Sequence, residues 1–148
     1  MKKYYADDLQ VGTEFPFGRW PLTEADIIAF AKVYDPQPIH IDPVAAAAGP
    51  FGGIIASGLQ TTAIYQALLV DALWNDVVGK AGRTADARWF RPVRPGMTLT
   101  GKSTVTGLEL RPDRGDALIS LCSVLIDADT DERVCQVDAT AVLFMRGT

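Results

Sequence analysis

Ser57-Gly-Leu-Gln-Thr-Thr-Ala-Ile-Tyr-Gln-Ala-Leu-Leu-Val70 is the stretch on which the fold turns. Ser57 followed three residues later by Gln60 has the spacing of a capping box, so a helix is predicted to begin here. Its apolar residues, among them Leu59, Ala63, Leu68, Leu69 and Val70, fall nearly all round the helical circle, which predicts a buried helix. A buried helix needs a second layer packed against it, and the residues after Gly82 supply one. Segments 84–93, 97–111, 115–127 and 133–146 are rich in Val, Thr, Leu and Ile and are separated by Pro-Gly, Pro-Asp-Arg-Gly and an acidic turn. They read as four strands of an antiparallel meander.

Upstream of the helix, residues 13–22 (TEFPFGRWPL) read as a first strand that its prolines confine to a sheet edge. Thr23 then suits the cap of another helix, with Glu24 and Asp26 at its positive end and Ile27, Ile28, Phe30, Ala31 and Tyr34 on its apolar face. Pro36, Pro38 and Pro43 are expected to stop regular structure, and Gly49-Pro-Phe-Gly-Gly53 to prolong the irregular region. One early strand, two helices and four later strands predict an α+β domain spanning 1–148, its curled antiparallel sheet wrapped around a buried central helix.

The 148 residues suffice for one domain with a substantial core. The formal net charge of −4 argues against a dedicated nucleic-acid binder, which needs a basic face. No apolar run approaches the roughly 20 residues that span a bilayer, and no apolar stretch follows Lys2 and Lys3, so a cytoplasmic protein is expected. Cys122 and Cys135 belong to no CxxC and read as reduced, buried thiols, and no metal site is expected. Asp127-Ala-Asp-Thr-Asp131 begins like a calcium loop, but Glu132 stands where that loop needs glycine; a solvated hairpin turn fits better. Gly49–Gly53 lacks the Lys-Ser/Thr of a phosphate-binding loop and reads as a covering loop.

His40 is the single histidine, so imidazole chemistry must use it. It lies in Tyr34-Asp-Pro-Gln-Pro-Ile-His-Ile-Asp42, where Pro36 and Pro38 fix their own φ angles and push Asp35 and Gln37 into extended conformations. A stiff segment thus holds a carboxylate and an imidazole a set distance apart, as two groups gripping one water require. The plainer alternative is that Asp35 caps a helix end or turn and His40 is an ordinary loop histidine. Gly58 falls in the first turn of the later helix, where N–H groups lack intrahelical partners and the helix dipole favours a developing oxyanion. Capping by Ser57 with Gly58 selected for close packing is compatible with that role.

Asp35-Pro-Gln-Pro-Ile-His40, Ile41-Asp42 and Phe51-Gly-Gly-Ile-Ile-Ala-Ser-Gly58-Leu59 together resemble the hydratase signature of the MaoC-like, (R)-specific enoyl-CoA hydratase family. Arg88-Trp-Phe-Arg-Pro-Val-Arg-Pro-Gly96 is similar to the strand and turn that follow the helix there, and the likeness runs through about residues 10–146. The resemblance implies a hotdog fold and reversible hydration of a trans-2-enoyl thioester. In it, Asp35 and His40 are the acid/base pair and Gly58 the donor to the thioester oxygen. It implies a coenzyme A thioester as substrate, no metal or redox cofactor, and a homodimer with acyl tunnels at the subunit boundary. The family usually reads Gly-Asp-x-Asn-Pro-x-His; here Tyr34 replaces the glycine and Gln37 the asparagine, which bears on the acyl pocket around them. Tyr34, Gln37 and Ser57 are candidate substrate-binding residues. Arg88, Arg91 and Arg94 are candidates for the coenzyme A phosphates, or else form the solvated face of a strand. A hotdog thioesterase is the nearest rival, weakened because Gly58–Val70 carries no carboxylate and Asp71 comes only at its far end. A non-catalytic acyl-CoA-binding module is the rival of another class.

Overall fold

The computed structural model describes residues 3–147. After a short 3-10 turn, strands β1 (Glu14–Pro16) and β2 (Trp20–Pro21) lead into helix α1 (Glu24–Tyr34). Helices α2 (Pro38–Ile41), α3 (Pro43–Ala48) and α4 (Gly58–Ala72) follow, then strands β3 (Lys80–Trp89), β4 (Thr98–Arg111), β5 (Asp116–Asp127) and β6 (Arg133–Phe144). The interrupted first strand is thus two short pieces, both paired antiparallel with β4. Thr23 caps α1 as its chemistry predicts: its hydroxyl accepts from the Asp26 N–H, and the Asp26 carboxylate accepts from the Thr23 N–H.

All strand pairs are antiparallel, and the sheet runs in the order β1-β4-β5-β6-β3 with β2 also on β4. The β4-β5-β6 hairpins form the predicted meander, but β3 does not join it beside β4. It crosses to the opposite edge and pairs with β6. The reason lies in residues 90–97, whose Pro92 and Pro95 cannot donate to a ladder. That segment runs past the start of α4 instead, where the Ala56 N–H donates to Val93 O at 2.8 Å and the Gly96 N–H to Leu22 O at 2.8 Å.

The prolines of 36–43 also act otherwise than expected. Pro38 and Pro43 occupy the first positions of α2 and α3, where a missing N–H leaves no intrahelical bond unmade, so they begin helices rather than end structure. Asp42 caps α3 by accepting from the Val44 and Ala45 N–H groups.

Burial alternates strictly along β5, and Ala117, Ile119, Leu121, Ser123 and Leu125 turn inward. Helix α4 buries Gln60, Thr61, Ile64, Tyr65, Leu68 and Leu69 in the same core, whereas Leu59, Ala63 and Gln66 are exposed. The central helix is therefore covered on one face only, not all round. Part of the uncovered side, at Gln66, shares a cavity wall with Lys80, Gly82, Thr84 and Ala85 of β3, an edge strand nearly all of whose residues are exposed. Cys122 and Cys135 are free thiols, Cys135 buried and Cys122 partly so. Burial pushes the Cys135 thiol up to about 11, so it stays protonated at neutral pH.

Gly101 allows a close approach of β4 to β5. It has φ of 149°, its carbonyl accepts the Phe17 N–H, and a Cβ there would lie 1.8 Å from the Val124 carbonyl oxygen. Gly101→Ala should therefore destabilise the fold by about 3 kcal/mol or more, roughly 6–12 °C in Tm for a chain this long. Gly18→Ala, whose methyl would meet no atom within 4 Å, should change Tm by less than about 2 °C. Equal effects of the two changes in thermal melts would contradict the steric account.

Candidate active site

Asp35 follows the last residue of α1, with its N–H still donating to Ala31 O at 2.8 Å. A carboxylate gains nothing from that end of a helix dipole, so its partners must come from elsewhere. Three side chains supply them. Gln37 Nε2 donates to Oδ1 at 2.8 Å, Ser57 Oγ donates to Oδ2 at 2.7 Å, and His40 Nε2 lies 3.3 Å from the same Oδ2. Asp35 is the C-cap residue of α1 through its backbone, which leaves its carboxylate free to turn elsewhere. It meets the N-cap serine of α4 and shares the favourable, positive end of that helix. The Gln37 amide foremost, then the Ser57 hydroxyl, hold the Asp35 carboxyl below its usual range; partial burial opposes them, and the nearby His40 ring adds a smaller push downward.

His40 sits on α2 and is buried. Its Nδ1 is 2.7 Å from the carbonyl oxygen of Ile55. A carbonyl only accepts, so Nδ1 carries a proton. That leaves Nε2 as the nitrogen turned toward Asp35, an acceptor in the neutral ring and a donor in the protonated one. The strand-like segment before α4 fixes this geometry, since the Ile55 N–H also donates to Ile39 O at 3.3 Å.

Ser57 is completely buried. Its hydroxyl proton goes to Asp35, and its oxygen accepts from the Leu59 N–H at 3.2 Å. The predicted capping box does not form, because Gln60 turns away and donates its amide to Asp26 O at 3.2 Å. The Gly58 N–H has no hydrogen-bond partner among the described residues. Asp35, Gln37, His40, Ser57 and Gly58 all line one cavity of about 550 Å³, whose open side carries Phe51, Leu59, Trp89 and Phe90.

Of the remaining predicted residues, Arg91 alone lines this cavity, with Glu132 3.4 Å away as its counter-ion. Arg88 faces Asp86 at 4.0 Å in solvent, and Arg94 is exposed near Gly53; neither lines the cavity. Tyr34 is 65% exposed and packs on Phe30, with ring centroids 4.9 Å apart, so it is not brought to the cavity either. Thr61, Trp89 and Phe90 line the site without having been foreseen. Thr61 carried a signal, since it lies one helical turn beyond Gly58 on the same face. Arg133, also unforeseen, stacks its guanidinium 4.6 Å from the Phe90 ring centre at the rim. Among the described residues, no three His, Cys, Asp or Glu side chains gather where they could hold a metal ion, and no helix is long and apolar enough to cross a membrane.

A sequence profile described as MaoC like domain matches residues 8–117. The chain belongs to the MaoC-like family. This MaoC-like chain is 32% identical to the 3-hydroxybutyryl-CoA dehydratase of Methylorubrum extorquens, over 99% of its own length and 94% of that protein's. The crystal structure of the MaoC-like dehydratase from Rhodospirillum rubrum matches it with a TM-score of 0.88 at 34% identity, covering 98% of this chain and 99% of that one. The (R)-hydratase of A. caviae matches with a TM-score of 0.72 at 25% identity, covering 90% of this chain and 96% of its own. The antiparallel sheet with one long central helix is thus the hotdog fold of these MaoC-like structures.

The carboxylate partners give a pH signature in stability. Because the folded site favours ionised Asp35, its contribution is fully present above the ordinary carboxylate value of about 3.9 and lost as pH falls through the lower folded one. From pH 5 downward, the Tm advantage of the wild type over Asp35→Asn should shrink. A gap that widens on acidification would show that the folded site favours the protonated carboxyl.

Proposed function

We propose that this chain catalyses reversible addition of water to a trans-2-enoyl thioester, converting enoyl-CoA to (R)-3-hydroxyacyl-CoA. The observation that carries the reading is Asp35 Oδ2, held by Ser57 at 2.7 Å and facing His40 Nε2 at 3.3 Å, in a cavity that also presents the unpartnered Gly58 amide. With the ring neutral, an ionised carboxylate and an imidazole lone pair face each other. Two acceptors so close are reconciled by a molecule donating to both, and water does so. The pair thus grips a water by its protons and turns its oxygen outward.

Attack by that oxygen forms the C3–O bond. The C2=C3 electron pair moves through C1 onto the thioester oxygen, where the Gly58 N–H and the dipole of α4 stabilise it. One water proton passes to the Asp35/His40 pair. As the enolate collapses, that proton is delivered to C2, so H and OH are added across the double bond. Dehydration runs the same steps backward. The chemistry named for the M. extorquens dehydratase supports this reading.

Gln37 and Ser57 serve here through Asp35, orienting its two oxygens, rather than through the acyl chain. Arg91 takes an anionic part of the coenzyme at the rim, exchanging its Glu132 partner for phosphate. Two copies of the domain pair through β3, whose exposed, unpaired edge lies beside part of the uncovered side of α4. A thioesterase reading has less support, because α4 offers the cavity no carboxylate.

Asp35→Asn and His40→Gln should each slow hydration of a trans-2-enoyl-CoA by at least ~100-fold, followed through loss of the conjugated thioester absorbance. The double variant should be little slower than either single one, because the two residues act as a unit. Near-normal rates in both single variants would sink the assignment. Light scattering of the purified chain should return the mass of a dimer; an active monomer would overturn the pairing through β3.

A further inference from the structure

Trp89 ends the edge strand β3, and nothing in the proposed chemistry requires it. Its place is nevertheless fixed from both sides. Its backbone pairs opposite the fully buried Cys135, and the next N–H, of Phe90, donates to Val134 O at 2.9 Å. From that anchor the indole reaches across to the first residue of α4, where Nε1 donates to Gly58 O at 3.1 Å. The ring lies so close to Gly58 that a Cβ there would stand 2.8 Å from Cε2, 3.0 Å from Nε1 and 3.1 Å from Cζ2. A side chain at position 58 would have to push this indole aside.

Glycine brings a difficulty with that fit. It is the residue whose backbone turns most freely, and it stands at a helix end, where the N–H that should point at a reacting oxygen has no intrahelical bond to hold it. Two neighbours reduce that freedom beyond what the first bonds of the helix do. On one side Ser57 is buried and tied to Asp35; on the other the indole is hydrogen-bonded to the Gly58 carbonyl and packed on its Cα. The peptide that carries the Gly58 N–H also has its Ser57 carbonyl accepting from the Gln60 and Thr61 N–H groups at 3.0 and 3.2 Å, and the indole adds a hold on the far side of Gly58, at the carbonyl of the next peptide. The same ring lines the cavity, so it also displaces water that would compete for the amide, and a donor in a drier site stabilises charge more strongly.

We propose that Trp89 is a positioning residue that clamps the Gly58 amide in its working orientation and keeps water from it. The inference rests on the reading of Gly58 as donor to the thioester oxygen.

The test uses the full chain with Trp89→Ala, Trp89→Phe, Gly58→Ala and the Gly58→Ala/Trp89→Ala double variant. With 15N-labelled protein, Trp89→Ala should lower the order parameter of the Gly58 N–H from the rigid range of about 0.85 to below about 0.6 and leave the Leu68 amide in mid-helix unchanged. With a trans-2-enoyl-CoA, its kcat should fall at least ~10-fold while KM stays within ~3-fold, as for an interaction that acts in the transition state. Trp89→Phe, which keeps a ring but loses the N–H, should fall between wild type and Trp89→Ala. Gly58→Ala should cost at least ~10-fold in kcat beneath the indole but under ~3-fold in the Trp89→Ala background, because the two residues are in contact. An unchanged Gly58 order parameter in Trp89→Ala would overturn the clamp, as would multiplicative effects or a change confined to KM or thermal stability. A wild type that turns over no enoyl thioester would instead sink the hydratase reading, while the order-parameter comparison still decides the clamp.

Discussion

The hydrogen bond from Ser57 Oγ to Asp35 Oδ2, at 2.7 Å, joins the end of α1 to the beginning of α4, and the site is built around it. Both partners are otherwise badly placed. A carboxylate at the C-terminal end of a helix meets the wrong pole of its dipole, and a fully buried serine must find a partner for its hydroxyl proton. Each solves the other's problem, and a hydrogen bond to a charged group contributes about 1.5–3 kcal/mol. One consequence is that Asp35 is held ionised and aimed at the imidazole. Another is that the start of α4 is tied to the end of α1, with the Gly58 N–H left without a partner among the described residues.

The rest of the fold serves to bring three distant segments to that bond. The proline-started turn of α2 carries His40. The extended residues before α4 offer the Ile55 carbonyl to Nδ1, and so decide which imidazole nitrogen faces the carboxylate. The crossing from β3 to β4 runs alongside those residues, tied to them through Ala56 and Val93, and delivers Trp89 and Phe90 to the open side. Had β3 paired with β4 in a tight hairpin, no strand end would reach the start of α4. The departure from a simple meander is thus what gives the cavity its outer wall.

Legibility followed the range of the interaction. Asp35 and His40 stand five residues apart on a stretch stiffened by prolines, so their meeting could be read locally, as could the Thr23 cap and the helix beginning at Ser57. The strands β4, β5 and β6 and the hairpins between them were equally plain, because runs rich in Val, Thr, Leu and Ile are set off by turn residues. What the sequence concealed was long-range or carried by backbone. A carbonyl partner such as Ile55 O leaves no trace in residue type. Trp89 lies 31 residues from the glycine it covers and reads locally as one more strand aromatic. Arg88 and Arg94 looked equivalent to Arg91, since only the crossing geometry decides which of the three reaches the cavity. Tyr34 looked like a pocket residue through its neighbour Asp35, yet helix α1 turns it outward onto Phe30.

The central claim is that the Asp35/His40 pair adds water to carbon and leaves the thioester intact. Incubation of the purified protein with a trans-2-enoyl-CoA in 18O-labelled water, followed by mass spectrometry of the intact product and its fragments, tests it most directly. The account predicts one labelled oxygen on C3 of a 3-hydroxyacyl-CoA, with no free thiol released. Label in a liberated carboxylate together with free coenzyme A would contradict it and make the chain a thioesterase. Recovery of unlabelled enoyl-CoA alone would contradict it in favour of a binding module.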